Sequence, residues 1–396
     1  MDAGSALARY ERQLRLEGWD QRRLASASVL VAGVGALGCE AAKNLALMGV
    51  GGLLLVDNDV VELSNLSRQM LYVDEDIGKP KAELAEQRVR RMNPLVQVVG
   101  MHKDVRNIPE NVFSEFDVLV SCVDNWPTRR WINSMAVELG KPLVDLATDG
   151  YYGNVQTIIP RKTACIECHA EALIPLEVQA AECSLRRRKP EDLVSELKDR
   201  GVVVGVGEAA ELFKHNVKTL YDIKYAPQKV VDGLSPELKN LVNRLRTMLN
   251  PKIPAVQSVS ATVAGLGVFE VVRVLHDGSL GRSLSGLLVY DGLNGRVSRV
   301  RLARNELCHV CGFDSDNPVE MIAHPHERVV DFLERVSNKF MFPDVQLQHG
   351  ARLISESETL ADSGVKDGDV VFIHTTRRAA PVSLRVRVVE DSDQGS

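Results

Sequence analysis

The chain has 396 residues, 45% of them hydrophobic and 26% charged, which describes a folded protein of two or three domains. Its formal net charge of −5 supplies no global basic field for nucleic acid. Apolar runs such as "VGGLLLVD" are cut by charge well short of a membrane span, and "MDAGSALARYERQ" has no cationic start followed by an apolar core, so neither a membrane protein nor a secreted one is expected.

The first strong signal is "ASVLVAGVGALGCEAAKNLALMGVGGLLLVDNDVV". Residues 28–32 are small and apolar, as in a buried parallel strand. Gly33, Gly35 and Gly38 follow in G-x-G-x-x-G spacing, and a helical apolar pattern runs through Leu45 and Met48. A second strand, Leu53 to Val56, ends in Asp57. Such glycines permit a tight turn and close backbone approach to a phosphate at the helix N-terminus. Asp57, 24 residues after Gly33, is placed for ribose hydroxyls.

Hydride transfer with NAD is the simplest reading of this unit, and the next stretch argues against it. "DNDVVELSNLSRQMLYVDEDIGKPKAE" sets Asn65, Arg68, Gln69, Lys79 and Lys81 just after the acid. A triphosphate undergoing cleavage needs such cations to offset developing charge. Further on, "FDVLVSCVDNWPTRRWIN" reads as a third buried strand ending at Asp124 and Asn125. A carboxylate at that end of a parallel strand faces the ligand crevice, where it can hold Mg²⁺. Taken singly, each residue is more simply a surface ion pair or a helix cap; the ordered set is not.

Seven cysteines, four of them in C-x-x-C pairs, favour metal or catalytic use in a reducing compartment, so the expected address is the cytoplasm. Cys165/Cys168 and Cys308/Cys311 offer four thiolates for a structural Zn²⁺, though 139 residues separate the pairs. "CIECH" also matches a c-type haem attachment pattern, which is rejected because no export signal precedes it and "CHVCG" has no matching histidine. Cys39 and Cys122 fit small core residues. In "AECSLRRRKPEDLV", Cys183 lies beside Arg186, Arg187, Arg188 and Lys189. Nearby cations favour a thiolate nucleophile, but a free cysteine near a solvated basic loop is the simpler reading of that stretch alone.

Residues 175–250 read as a helical insert with apolar spacing around 191–200, 208–222 and 235–249. In "LSPELKNLV" a serine cap precedes a proline at the first helical position. "IPAVQSVSATVAGLGVFEVVRVL" then reads as a buried helix returning to the core.

Together "RYERQLRLEGWDQRRL", the glycine-loop unit, "VDNDVVELSNLSRQ", "IGKPKAE", "MNP", "SCVDN" and the paired cysteines resemble the ubiquitin-activating (E1-like) enzymes and their bacterial relatives that adenylate sulfur-carrier proteins. The resemblance covers roughly residues 8–170 and 250–312. It implies that Asp57 binds the ATP ribose, that Asn65, Arg68 and Lys81 engage the phosphates, and that Asp124 holds Mg²⁺. It also implies that Arg12 reaches the active site of a second protomer, making the chain a homodimer, and that Zn²⁺ sits on the four paired cysteines. Protein-activating relatives place a catalytic cysteine in a C-T-x-x-x-x-P pattern with a histidine beyond. Cys183, Ser184 and Pro190 match it with three departures: serine for threonine, a late proline and no histidine.

The implied fold is α/β. A Rossmann-like adenylation domain (1–174 and 251–313) is interrupted by the catalytic-cysteine insert (175–250) and followed by a ubiquitin-like β-grasp domain at 317–375. A tail at 376–396 is unassigned. "TLADSGVKDGDVVFIH" resembles ubiquitin itself, but the chain ends "VVEDSDQGS" without a terminal Gly-Gly, so the domain is expected to dock a conjugating enzyme. The implied activity is ATP-Mg²⁺-dependent adenylation of a ubiquitin-like modifier, thioester formation on Cys183 and transfer to that conjugating enzyme. The rivals are a sulfur-carrier adenylating enzyme, a non-catalytic subunit of an activating enzyme, and an NAD oxidoreductase that fits only the glycine loop.

Overall fold

A computed structural model of the chain describes residues 8–169, 189–215, 217–225, 228–249, 254–305, 308, 310–312, 318–340, 342, 344–350, 352–375 and 381–389. The chain divides into two compact units, Met1–Cys168 with Lys252–Arg304, and His169–Pro251 with Asn305–Ser396.

The first unit is built on an eight-stranded sheet in the order β3-β2-β1-β4-β5-β6-β7-β8. Its strands are β1 (Ser28–Ala32), β2 (Gly52–Asp57), β3 (Gln97–His102), β4 (Val118–Ser121), β5 (Leu143–Asp149), β6 (Tyr152–Ile158), β7 (Gly286–Asp291) and β8 (Arg296–Val300). β1 to β5 pair in parallel and β6 to β8 continue antiparallel. Its helices are α1 (Gln21–Ser26), α2 (Ala36–Met48), α3 (Lys81–Met92), α4 (Glu110–Ser114), α5 (Trp126–Glu138) and, after the insert, α11 (Gln257–Leu275). The order 3-2-1-4-5 places a topological switch between β1 and β4, and ligands of such sheets bind outside the carboxyl ends of the strands there.

The four apolar residues of β1 are wholly buried because helices cover the sheet on both faces. α11 is long and apolar enough to cross a membrane. In the fold it packs on α2, β5 and β6 instead, and its Val259, Val263, Ala264, Val268, Val271 and Val272 belong to the core. The returning helix is where the sequence puts it. One strand differs: β3 precedes the strand read as third. Its alternating burial, with only Val98 fully inside, reflects its place at the sheet edge.

The second unit contains two separate apolar cores. One joins α6 (Pro190–Asp199), α7 (Val206–Lys214), α8 (Leu220–Tyr225), α9 (Gln228–Asp232) and α10 (Pro236–Leu249) through residues such as Leu193, Leu197, Leu212, Ile223 and Leu245. The Ser235 hydroxyl accepts from the Leu238 amide ahead of Pro236, as the capping pattern requires. The single helical stretch expected at 208–222 is two helices, because the first ends at Lys214 with His215 as its cap and the second begins where Thr219 and Asp222 cap each other.

The other core lies beneath a five-stranded sheet with one helix, α12 (Val329–Phe340). Its strands are β9 (Val319–Ala323), β10 (Gln346–His349), β11 (Arg352–Leu353), β12 (Val370–His374) and β13 (Val382–Val388), ordered β11-β10-β12-β13-β9. This is a β-grasp arrangement, and it corrects the boundary expected at residue 375. β13 lies in the segment left as a tail, yet it runs between β12 and β9 and buries Val382, Leu384 and Val386. The domain therefore extends through Val388.

Candidate nucleotide and four-cysteine sites

The glycine loop connects β1 to α2 at the switch point, and its three glycines do different jobs. Gly33 has φ of +86°, donates its amide to the Val56 carbonyl at 2.8 Å, and has no room for a Cβ, which would lie 2.8 Å from the Cys122 carbonyl oxygen. A Cβ at Gly38 would lie 1.9 Å from the Gly33 oxygen, so this glycine lets the helix close on the strand. Gly35 caps α2 without a side-chain bond, and the nearest atom to a Cβ there would be Gln69 Nε2 at 3.8 Å. The loop is thus open at Gly35, where helix N–H groups are exposed to an anion.

At the end of β2, Asp57 Oδ2 accepts from the Val34 amide at 2.7 Å and Oδ1 from the Asp59 amide at 2.8 Å. Burial pushes its carboxyl up to about 6, and the nearby Lys81 ammonium limits the rise. Lys81, the first residue of α3, is 7% exposed and places Nζ 2.9 Å from Asp59 Oδ2. Burial works against its charge, but the carboxylates of Asp57, Asp59 and Asp124 outweigh it and hold the ammonium above its ordinary value. Asp59 is a further member of the site. Its signal was present in the D-x-D spacing of "DND", since the second acid follows the first off the same strand end.

The segment after Glu62 forms a tight turn in which Asn65 Oδ1 accepts from the Glu62 amide at 3.0 Å. That commits the oxygen and leaves the amide nitrogen as the donor end. Arg68 is half-buried, with Nη1 donating to the Ser64 carbonyl at 2.6 Å. Gln69 is buried, and its Oε1 has no hydrogen-bond partner among the described residues. A buried, unsatisfied amide oxygen beside the open glycine is what a missing ligand leaves behind.

Asp124 is exposed just before α5, and Asn125 caps that helix by accepting from the Thr128 amide at 3.0 Å. Asp57, Lys81 and Asp124 are thus brought into one electrostatic neighbourhood at the sheet's switch point. Arg12 is elsewhere: it is exposed at the start of a short turn, Gln13–Arg15, with no partner among the described residues. Cys183 lies outside the described residues, as do Arg186, Arg187 and Arg188. Lys189 is described, and its amide donates to Asp192 Oδ2 at the start of α6.

Cys165, Cys168, Cys308 and Cys311 are all buried. Cys165 and Cys168 sulfurs are 3.9 Å apart. Tetrahedral zinc with Zn–S near 2.3 Å requires sulfurs about 3.8 Å apart, so the spacing of this pair suits that ion. The first pair is anchored to α5. Arg130 forms a buried ion pair with Glu167, its Nη2 2.7 Å from Oε2, and Asn133 Oδ1 accepts from the Ile166 amide at 3.2 Å. Cys39 and Cys122 are core residues as expected; burial pushes the Cys39 thiol up to about 12 and raises Cys122 as well.

Three comparisons bear on this arrangement. Residues 10–310 match the model of the ThiF family. A NEDD8-activating enzyme E1 catalytic subunit of Caenorhabditis elegans is 26% identical over 402 residues, covering 92% of this chain and 91% of that protein. The protein of the same description from Saccharomyces cerevisiae is 31% identical over 265 residues, covering 63% of this chain and 85% of that one. Among solved structures, E. coli MccB shares the fold with a TM-score of 0.51 at 20% identity, over 74% of this chain and 67% of that one. From the glycine loop to the paired cysteines, the chain belongs to the ThiF family, on its E1-like side.

Proposed function

We propose that the chain adenylates the C-terminal glycine of a ubiquitin-like protein and then carries that protein as a thioester on Cys183. The observation that carries the reading is the buried Lys81 ammonium beside the open glycine loop, ringed by Asp57, Asp59 and Asp124. One ammonium among three carboxylates leaves a net negative pocket, which suits a triphosphate arriving with a divalent cation. Asp57 would accept the ribose hydroxyls, while Asn65 Nδ2, Arg68 and Lys81 would donate to the phosphates. Asp124 is the residue that would hold Mg²⁺.

In the first step the modifier's carboxylate oxygen attacks the α-phosphorus and pyrophosphate leaves. Arg68 and Lys81 offset the charge that develops on the departing oxygens. The Cys183 thiolate then attacks the acyl carbon, a C–S bond forms, and AMP leaves with the electron pair of the broken C–O bond. Zn²⁺ on the four cysteines would be structural, since four thiolates leave no open coordination position. Arg12 would serve the crevice of a second copy, as expected of a homodimer.

The β-grasp unit favours an activating enzyme over a sulfur-carrier adenylating enzyme, which has no use for such a module. We assign it the docking of a conjugating enzyme. A non-catalytic subunit should lack some of the nucleotide-site residues, and all of them are present.

The reading is tested by ATP–pyrophosphate exchange that depends on a Gly-Gly-ending modifier. Asp124→Ala and Arg68→Ala should each lower it by about 10²–10³. Unchanged exchange in both variants would remove the ATP assignment.

A further inference from the structure

Between the crevice and the core lies a buried ion pair that none of the roles above uses. Arg129 of α5 places Nε 3.3 Å from Asp145 Oδ1, and the two side chains are 11% and 5% exposed. Asp145 sits in β5 beside Ser121, the last residue of β4. Arg129 also donates through Nη2 to the Val123 carbonyl at 3.0 Å and, more weakly, to the Leu146 carbonyl at 3.5 Å. Its guanidinium lies over the Trp126 ring, 4.9 Å from the centroid.

A buried ion pair is weak evidence for stability, because well-packed apolar residues of similar size serve as well or better. What this one holds is specific. Val123 is the residue before Asp124, and its carbonyl lies in the turn between β4 and the α5 cap. Asp145 attracts the guanidinium electrostatically without hydrogen-bonding to its Nε, and the Trp126 ring lies against it, so Nη2 is left to donate to the Val123 carbonyl. Lysine keeps the charge but cannot bond in two fixed directions while stacking on a ring.

We infer that Arg129, held by Asp145, is a positioning residue that fixes the Val123 peptide and so aims the Asp124 carboxylate. The inference rests on the reading of Asp124 as the Mg²⁺ ligand. With Arg129 displaced, Asp124 retains its charge but loses its direction, so the Mg²⁺ requirement rises while turnover at saturating Mg²⁺ is largely kept.

The test is modifier-dependent pyrophosphate exchange in the full chain, titrated with Mg²⁺ at saturating ATP, together with thermal melts. Arg129→Lys should raise the half-saturating Mg²⁺ about tenfold, as loss of a group supporting a metal ligand does. Asp145→Asn should raise it less, because Arg129 still reaches Val123, and it carries the test if Arg129→Lys fails to fold. In an Asp124→Asn background, Arg129→Lys should add less than about twofold, because residues acting through one another are not additive. A lower melting temperature with an unchanged Mg²⁺ midpoint, or full additivity with Asp124→Asn, would overturn the inference. An Asp124→Asn protein with normal Mg²⁺ dependence would overturn the reading of Asp124 itself.

Discussion

Lys81 and Asp59 meet across 22 residues of sequence, Nζ to Oδ2 at 2.9 Å, with the lysine buried and the aspartate 62% exposed. The exposed partner is the one that can turn away, so the ammonium is tethered but free to exchange a carboxylate for a phosphate. Lys81→Met keeps the buried stem and removes the charge. It should lower kcat for adenylation by about 10²–10³ and also lower the melting temperature, since the buried Asp57 carboxylate loses the cation that compensates it. Pyrophosphate exchange and a melting curve measure the two effects separately.

Asp57 gives a pH signature. Its folded value of about 6 lies above the ordinary 3.8 because burial disfavours the charged form. The folded state therefore binds the proton more tightly, so this group's contribution to stability is full below pH 3.8 and is lost as the pH rises through about 6. Ribose binding needs the carboxylate and moves the opposite way. KM for ATP should fall as the pH rises through that range, by about tenfold from one pH unit below the midpoint. Asp57→Asn should flatten the profile apart from the titration of ATP itself. In Lys81→Met the midpoint should move up, because the cation that limits the rise is gone.

Two glycines separate folding from binding. Gly38→Ala forces a Cβ against the Gly33 carbonyl oxygen and should cost about 1–3 kcal/mol of stability. Gly35→Ala meets only Gln69 Nε2 at ordinary contact distance, so it should melt as the parent does. Its methyl group instead stands where a phosphate approaches, and KM for ATP should rise. A Gly35→Ala protein with unchanged KM would move the phosphate away from this loop.

The four cysteines should bind about one zinc per chain through thiolates. Cys165→Ser or prolonged chelation should release it and lower the melting temperature, because binding free energy at such a site is folding free energy. Metal analysis with parallel melts decides the matter; a metal-free preparation of full stability would exclude a structural ion.

Truncation after Thr375 should be worse for the β-grasp unit than its complete removal. The cut deletes β13 from between β12 and β9 and opens the core at Val371 and Ile373. Residues 318–375 should then become protease-sensitive, whereas a chain ending at residue 316 should be well behaved and retain adenylation. Transfer to a conjugating enzyme should fail in both.

Local patterns made the first unit readable. The β1–α2–β2 run announces itself through small apolar residues, glycine spacing and a terminal acid, all within one stretch. The paired cysteines were legible by their spacing, while the 139 residues between the pairs carry no local sign of a shared ion. The alternation of Val382, Leu384 and Val386 marked a strand, but its place inside a sheet depends on β9 and β12, which no local pattern encodes. The Arg129–Asp145 pair was hidden for the same reason. It joins a helix to a neighbouring strand, and in the sequence each residue looks like an ordinary surface charge.

The central claim, activation through an acyl-adenylate to a thioester, is tested most directly on the Cys183→Ala chain. Incubated with ATP-Mg²⁺ and a Gly-Gly-ending modifier, the parent protein should form an adduct that dithiothreitol removes. Cys183→Ala should form none while keeping modifier-dependent pyrophosphate exchange, because adenylation needs only the crevice and thioester formation needs the thiolate. A reducible adduct on the Cys183→Ala protein, or none on the parent with any such modifier, would contradict the account.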